Sequence, residues 1–320
     1  MDVSLLYPTQ VERPAQLLPF AQTAQRLGLS RLWTGQSLRV ETHQVFSYLA
    51  GAGVRMPLGS AVSLFPLRHP IDAAVQARGV AAMTGHSYVA GFGPGGTGFQ
   101  EGARGERFAK PVAATREFLD VTRRLLDNEP VVHEGEHYRF GFGLEPFDHP
   151  PVHLGAGVLR PGMARGIAGS IDVAITWMTP PEYVRDQIIP ALAEGAAKAG
   201  RPTPRVATVV HAVLDGPGRN ITEMALKVAA GHLSMAHYTD MLRRAGIDAH
   251  ADDPESGAKA IVDAGLFVHG NPDAVAEQLD RHRECGISEI IINPGGTLVT
   301  SGFAAAIRDV TRIVEALQAL

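Results

Sequence analysis

The 320-residue chain carries 29 basic and 33 acidic residues, a formal charge of −4, with 35 Gly, 22 Pro and one Cys. Well-mixed charge of this balance excludes a basic stripe for nucleic acid or an anionic membrane; an apolar content of 45 % excludes a disordered or collagen-like chain; a lone Cys285 excludes a disulfide framework or multi-cysteine metal site. No stretch approaches the ~18 apolar residues of a membrane span and the opening residues lack the basic and apolar regions of a leader, so a cytoplasmic protein with neither nucleic acid nor membrane as partner is expected.

Asp2 to Tyr7 reads as a strand ended by Pro8, and Pro14 to Leu27, apolar at helical spacing, as a helix stopped by Gly28. Arg31 to Thr34 is the next strand and Val45 to Ala52 a short helix. Leu58 to Ser63 is a third strand, followed by a helix from Pro70 to Met83 that Gly85 closes. Ser87 to Phe92 is a strand, Gly91 to Gly105 a Gly-rich loop, and Val112 to Leu126 an amphipathic helix. Between Asp127 and Pro150 the run VVHEGEHYRF reads as an inserted hairpin.

The alternation resumes with strands at Val152 to Leu154 and Val173 to Trp177, and helices at Pro161 to Ala168 and Pro181 to Ala199. Arg205 to Leu214 is a β-branched strand, and Asn220 to Ala264 a helical excursion broken at Gly246 and at Asp252 to Pro254. Pro272 to Cys285, N-capped by Asn271, is a helix; Glu289 to Asn293 is the last strand and Gly302 to Leu320 the last helix. Eight strands alternating with helices favour an α/β fold, a (β/α)8 TIM barrel, over an open doubly wound sheet. The expectation is one domain over 1–320, with insertions near 94–111, 127–150 and 215–266.

Barrels of this kind bind ligands at the C-terminal strand ends. Those ends hold small, polar and glycine residues with Trp177 and Met178 among them, which suits a flat ring. GAGVLRPGMARG, Gly155 to Gly166, reads equally as a phosphate-capturing turn and as an ordinary tight connection. GFGPGGTG, Gly91 to Gly98, reads as a flexible connection sooner than as a phosphate cover. His133 and His137 straddle a hairpin turn at Gly135, so no metal site is expected. No serine lies in a nucleophile elbow, Asp172 and Glu101 read as solvated carboxylates, His211 as a core or mouth residue, and Cys285 as inert.

Taken together and in order, AQRLGLSRLWTGQS (Ala24 to Ser37), MPLGSAVSLFPLRHP (Met56 to Pro70), GFGPGG (Gly91 to Gly96), PPVHLGAGVLRPGMARGIAGSIDVAITW (Pro150 to Trp177) and FVHGNPDAVAEQLDRHRECGISEIIINPGG (Phe267 to Gly296) resemble the luciferase-like monooxygenase superfamily, in particular its deazaflavin F420-dependent oxidoreductase branch. The resemblance covers nearly the whole chain. It implies a barrel with a cis non-proline peptide within Ser60, Ala61 and Val62. It also implies a cofactor ring near Gln36, Ser37, Gly93, Pro94, Gly95, Thr176 and Trp177, with the phosphate at Gly155, Gly157, Val158 and the following helix start.

Where many relatives carry an acidic residue then His after the second strand, this chain has Gln36 and Ser37, and Gly96 stands where sugar-phosphate dehydrogenases carry a catalytic Glu. Without that base, the resemblance implies a reductase acting on a polarised C=C or C=N bond of a small-molecule or peptide intermediate of secondary metabolism, such as a dehydroamino acid. Ser37, His69, Tyr7 or water are the candidate proton donors. FMN is the alternative cofactor, with monooxygenase chemistry; a catalytically silent flavin-binding homologue is the reading of another class. A homodimer is expected.

Overall fold

A computed structural model describes all 320 residues. The strands in chain order are β1 (Asp2–Tyr7), β2 (Leu32–Thr34), β3 (Leu58–Ser60), β4 (Ser63–Leu64), β5 (Tyr88–Gly93), β6 (Val131–Glu134), β7 (Arg139–Phe142), β8 (Val152–Gly157), β9 (Val173–Trp177), β10 (Arg205–Leu214), β11 (Phe267–Gly270) and β12 (Glu289–Asn293). Parallel pairing runs β1–β2–β3–β5–β8–β9–β10–β12 and back to β1, which closes an eight-stranded barrel with helices outside. The β6–β7 pair is antiparallel, as the hairpin reading expects.

Four local readings need correction. The run 58–63 is two short strands, because the register against β5 slips by one residue between Gly59↔Val89 and Ser63↔Phe92; the peptide between Ala61 and Val62, inside the slip, is cis. The Gly91–Gly105 stretch is not a loop throughout: Thr97–Arg104 is a helix, and Gln100 ties it down by donating to the Gly95 carbonyl (2.9 Å) and accepting from the Phe108 amide (3.0 Å). A ninth parallel strand, β11, was hidden in FVHG; it pairs with the second half of β10, His211 to Leu214, while β12 takes the first half, Ala207 to His211. A short helix, Gly295–Ser301, also precedes the last one, Phe303–Ala319.

Strand alternation divides the side chains into two layers. Leu6, Trp33, Ala61, Val89, Val173, Ile175, Ala207, Val209 and Ile291 fill the barrel interior, whereas the much larger remaining core lies between strands and helices. The interior floor holds one buried carboxylate. Glu289, 1 % exposed, accepts from Ser4 Oγ (2.6 Å), Trp33 Nε1 (2.8 Å) and the Arg205 guanidinium (2.7 Å). Arg31 lies 3.9 Å from the same carboxylate and over the Trp33 ring, and burial pushes its guanidinium down to about 10. A buried charge persists only when paired and hydrogen-bonded in this way.

The hairpin packs on the outer wall. Glu117, in the middle of helix Pro111–Leu126, accepts from the amides of His137 and Tyr138 and lies 3.0 Å from His133 Nε2. His133 and His137 therefore serve to fix the hairpin.

Candidate active site

The top of the barrel interior follows from continuing the inner alternation to the strand ends. From Trp33 the next inward position is Gly35; from Val89 come Gly91 and Gly93; on β8 the inward positions are Gly155 and Gly157. One side of the mouth is therefore backbone without side chains. Val62 alone reaches over it, since a Cβ on Gly93 would come within 2.8 Å of the Val62 side chain and one on Gly157 within 3.8 Å. Gly91 and Gly155 lie a layer lower, where a Cβ on Gly155 would meet Ile175, Val89 and the Gly91 backbone at 3.0–3.3 Å.

The opposite side is aromatic. Continuing from Ile175, Val209 and Ile291 gives Trp177, His211 and Asn293. Phe267 of β11 stacks on His211 (5.5 Å, 18°), whose ring meets Trp177 edge-on (6.2 Å). Trp177 in turn stacks on His232 (5.1 Å, 26°), and His232 meets Tyr238 edge-on (4.9 Å). Helices Ile221–Leu233 and Ala236–Arg244 bring His232 and Tyr238 over the mouth. The segment crosses to the glycine side, where Met235 and His237 would lie 3.6–3.7 Å from a Cβ on Gly96.

This layer contains no carboxylate or ammonium. Its titratable groups are histidines and the Tyr238 phenol, and burial pushes His211 down to about 3 and His232 to about 4, so both are neutral rings at neutral pH. Nearby charges are already paired: Arg160 donates to Asp240 (3.2 Å), which also accepts from Arg244 (2.9 Å).

Of the proposed proton donors, none is presented to this mouth. Tyr7 points outward to the helices, packed edge-on against Phe20 (5.3 Å) with Phe303 beside it, because Leu6 and not Tyr7 takes the inward position of β1. The Ser37 hydroxyl donates to the Val11 carbonyl (3.3 Å) and accepts from the Arg39 amide (3.2 Å). His69 is exposed, accepts from the Ile71 amide as an N-cap, and packs on Tyr138 and Phe140 of the hairpin.

The cofactor candidates divide similarly. Gly93, Pro94, Gly95, Gly155, Gly157, Ala61, Val62 and Trp177 stand at or under the mouth. Ser60 faces outward, its hydroxyl bonded to Gly91 and Tyr88; Thr176 faces outward too, donating to Thr208 (2.7 Å). Gln36 is a strut: its amide donates to the Val62 carbonyl (3.1 Å) and its side-chain oxygen accepts from the Leu64 amide (3.1 Å), bracing the Ala61–Val62 segment. The Val158 amide is spent on the Ile175 carbonyl (2.8 Å), so it is no free anion donor. His232 and Tyr238 lie in the helical excursion, where no sequence signal marks them for the site; counting alternate residues from the Val-rich run RVATVVHAVL places His211 on the Ala207–Val209 face.

The strands therefore close a parallel (β/α)8 barrel whose mouth has a glycine floor on one side and an aromatic wall on the other. The chain belongs to the luciferase-like monooxygenase family, whose model matches residues 1–289. A Mycobacterium tuberculosis protein named as a coenzyme F420-dependent oxidoreductase is 30 % identical over 158 residues; that match spans 44 % of this chain and 45 % of the relative, under half the length of either.

Among solved structures, an F420-dependent secondary alcohol dehydrogenase superposes with a TM-score of 0.76 at 15 % identity, covering 99 % of this chain and 98 % of that one. The F420-dependent tetrahydromethanopterin reductase of Methanopyrus kandleri gives 0.74 at 19 % identity (95 % and 99 %), and the monooxygenase RslO1 of Streptomyces bottropensis 0.75 at 20 % (100 % and 99 %). At these identities the likeness is one of fold.

Proposed function

We propose that the protein is an F420-dependent oxidoreductase working as a reductase on a polarised C=C or C=N bond of an uncharged small-molecule or peptide intermediate, a dehydroamino acid being one example. The observation that carries the reading is the mouth itself, half bare backbone and half aromatic, with no charged side chain on its inner face. The names of the M. tuberculosis relative and of two structural neighbours support F420 as the cofactor.

The residues present fit a deazaflavin. Gly35, Gly93 and Gly157 leave the floor open to a flat ring, Val62 is the one side chain over it, and Trp177 offers the flanking wall. Bound in reduced form, F420 supplies a hydride to an electrophilic carbon. The chain's own part is to orient the substrate and exclude water, through the rings of Trp177 and His232 and the helices that carry His232 and Tyr238.

Oxidation of an alcohol requires a base for the hydroxyl proton. His211 takes up no proton near neutral pH and the inner face holds no carboxylate, so the arrangement favours reduction. With Tyr7 and Ser37 engaged elsewhere and His69 packed on the outer hairpin, water is the remaining proton source for the product.

Fluorescence titration of the purified protein with reduced F420 and with FMN tests this. Micromolar binding of F420 without FMN is the expected result. Binding of FMN alone replaces the reading with an FMN monooxygenase, and binding of neither leaves a catalytically silent homologue.

We also propose a homodimer. Helix Pro70–Thr84 buries Ala73, Ala74, Ala77 and Ala81 against the barrel and exposes Val75 and Met83 at 45 % each beside the Asp72–Gln76 pair, and Tyr48 on helix Thr42–Gly51 is likewise exposed.

A further inference from the structure

Three adjoining side chains of the aromatic wall hold four buried polar atoms that no protein group satisfies: Trp177 Nε1, both ring nitrogens of His211, and His232 Nδ1. Folded proteins pair roughly nine in ten such groups, because each one left alone costs about 1–3 kcal/mol. His211 is the most telling. It is 1 % exposed, stands on the inward face of β10 above Ala207 and Val209, and contacts only the rings of Phe267 and Trp177 among aromatic groups, with neither nitrogen bonded. A Phe at this position would stack equally well. The nitrogens are thus a cost to the fold that stacking does not explain.

We propose that Trp177, His211 and His232 form the substrate wall of the mouth and select an uncharged, planar, conjugated carbonyl or imine compound, held by hydrogen bonds from Trp177 Nε1 and His211. This rests on the oxidoreductase reading of the same mouth. The donor inventory sets the ligand chemistry: an indole N–H only donates, so it needs an acceptor, and a neutral imidazole offers one donor and one acceptor. An amide-like C(=O)–N–H meets both, whereas a carbonyl alone meets only the two donors. The flat stacked faces of Trp177 and His232 favour a planar π-system. A carboxylate would have to shed water against neutral rings, and the guanidinium of Arg160 is already paired with Asp240.

The test is a saturation-transfer NMR titration of cinnamamide and of its charged isostere cinnamate into the full chain, with and without F420, for the parent, His211→Phe and His211→Gln. The expected result is an amide preference of about tenfold or more in the parent, and a loss of about tenfold in amide affinity for His211→Phe. The same variant should bind F420 as the parent does and have a Tm equal to or above the parent's, which a merely structural histidine would not give. His211→Gln, which restores one donor and one acceptor, should recover part of the amide affinity and serves alone if His211→Phe does not fold. Equal binding of amide and carboxylate, no binding of either, or unchanged amide affinity in His211→Phe would overturn the proposal, as would loss of F420 affinity in that variant with amide binding intact. If F420 fails to bind the parent while the amide preference and its dependence on His211 persist, the wall stands and the cofactor reading falls.

Discussion

The indole of Trp33 lies over the Cα of Gly59 on the adjacent strand, so close that a Cβ there would fall inside the six-membered ring's van der Waals contact. Trp33 is fully buried and fixed through Nε1 to Glu289, so the ring has nowhere to retreat. Gly59→Ala should destabilise the protein by about 1–3 kcal/mol, the usual cost of overpacking a tight core. Urea denaturation followed by tryptophan emission measures it, and an unchanged midpoint would contradict the packing described.

Glu289 is the counter-charge of the barrel floor. Replacement by Ala leaves Arg31 and Arg205 without their carboxylate and should cost about 3–5 kcal/mol. Glu289→Gln keeps an acceptor for Ser4 and Trp33 and should cost less. Equal losses in the two variants would mean that the charge, and not the hydrogen bonds, holds the floor.

Burial holds the folded-state pKa of His211 at about 3 and of His232 at about 4, both below the ordinary 6.5. Below pH 6.5 the unfolded chain binds protons on these rings that the folded chain refuses, so the stability tied to them is complete above about 6.5 and declines as pH falls toward 4. Glu41 acts lower. Burial alone would raise its carboxyl, but hydrogen bonds with His43 and Arg68 outweigh that and bring it to about 2, so its contribution fades only below about 4.5. Urea midpoints of the parent should therefore drop between pH 6.5 and 4.5, and those of His211→Phe should drop less; parallel curves would refute the assignment.

How far the sequence revealed this molecule depends on the kind of signal. The alternation of apolar strands with helices was legible, and so was the Asn271 cap, whose side chain accepts from the Ala274 amide (2.9 Å). Elements rich in glycine were not, because Thr97–Arg104 and Gly295–Ser301 have helix-breaking composition and are held by contacts such as those of Gln100. Strand β11 was lost for another reason: four residues carry too little periodicity, and its pairing depends on β10 running past β12. At the site, the glycines lie on the floor of the mouth, whereas Tyr7, Ser60 and Thr176 face outward, because residue type at a strand end does not say which face a side chain takes. One residue of parity separates Leu6, inside, from Tyr7, outside.

Gly157 has room for a side chain, since a Cβ there would meet only Val62 at 3.8–3.9 Å. Gly157→Asp should fold with an unaltered Tm and lose F420 affinity by about tenfold or more, because a carboxylate on the floor occupies space and repels an anionic cofactor. Unchanged affinity in a fluorescence titration would place the cofactor elsewhere.

The outward stripe of helix Pro70–Thr84 gives a prediction of a different kind. Sedimentation velocity should show a dimer for the parent and a monomer for Val75→Glu with its Tm preserved. A monomeric parent would leave Val75 and Met83 as isolated surface residues.

The fork in β10 has a consequence for the mouth of the barrel. Its lower half borders β12 and its upper half borders β11, so from His211 upward β11 takes the place of β12 beside β10. The handover sets Phe267 level with His211, across the opening from the glycine floor. A sheet built this way separates two tasks within one opening: the glycine arc grips what is common to every turnover, and the arc of His211 and Phe267 can be rebuilt for what changes.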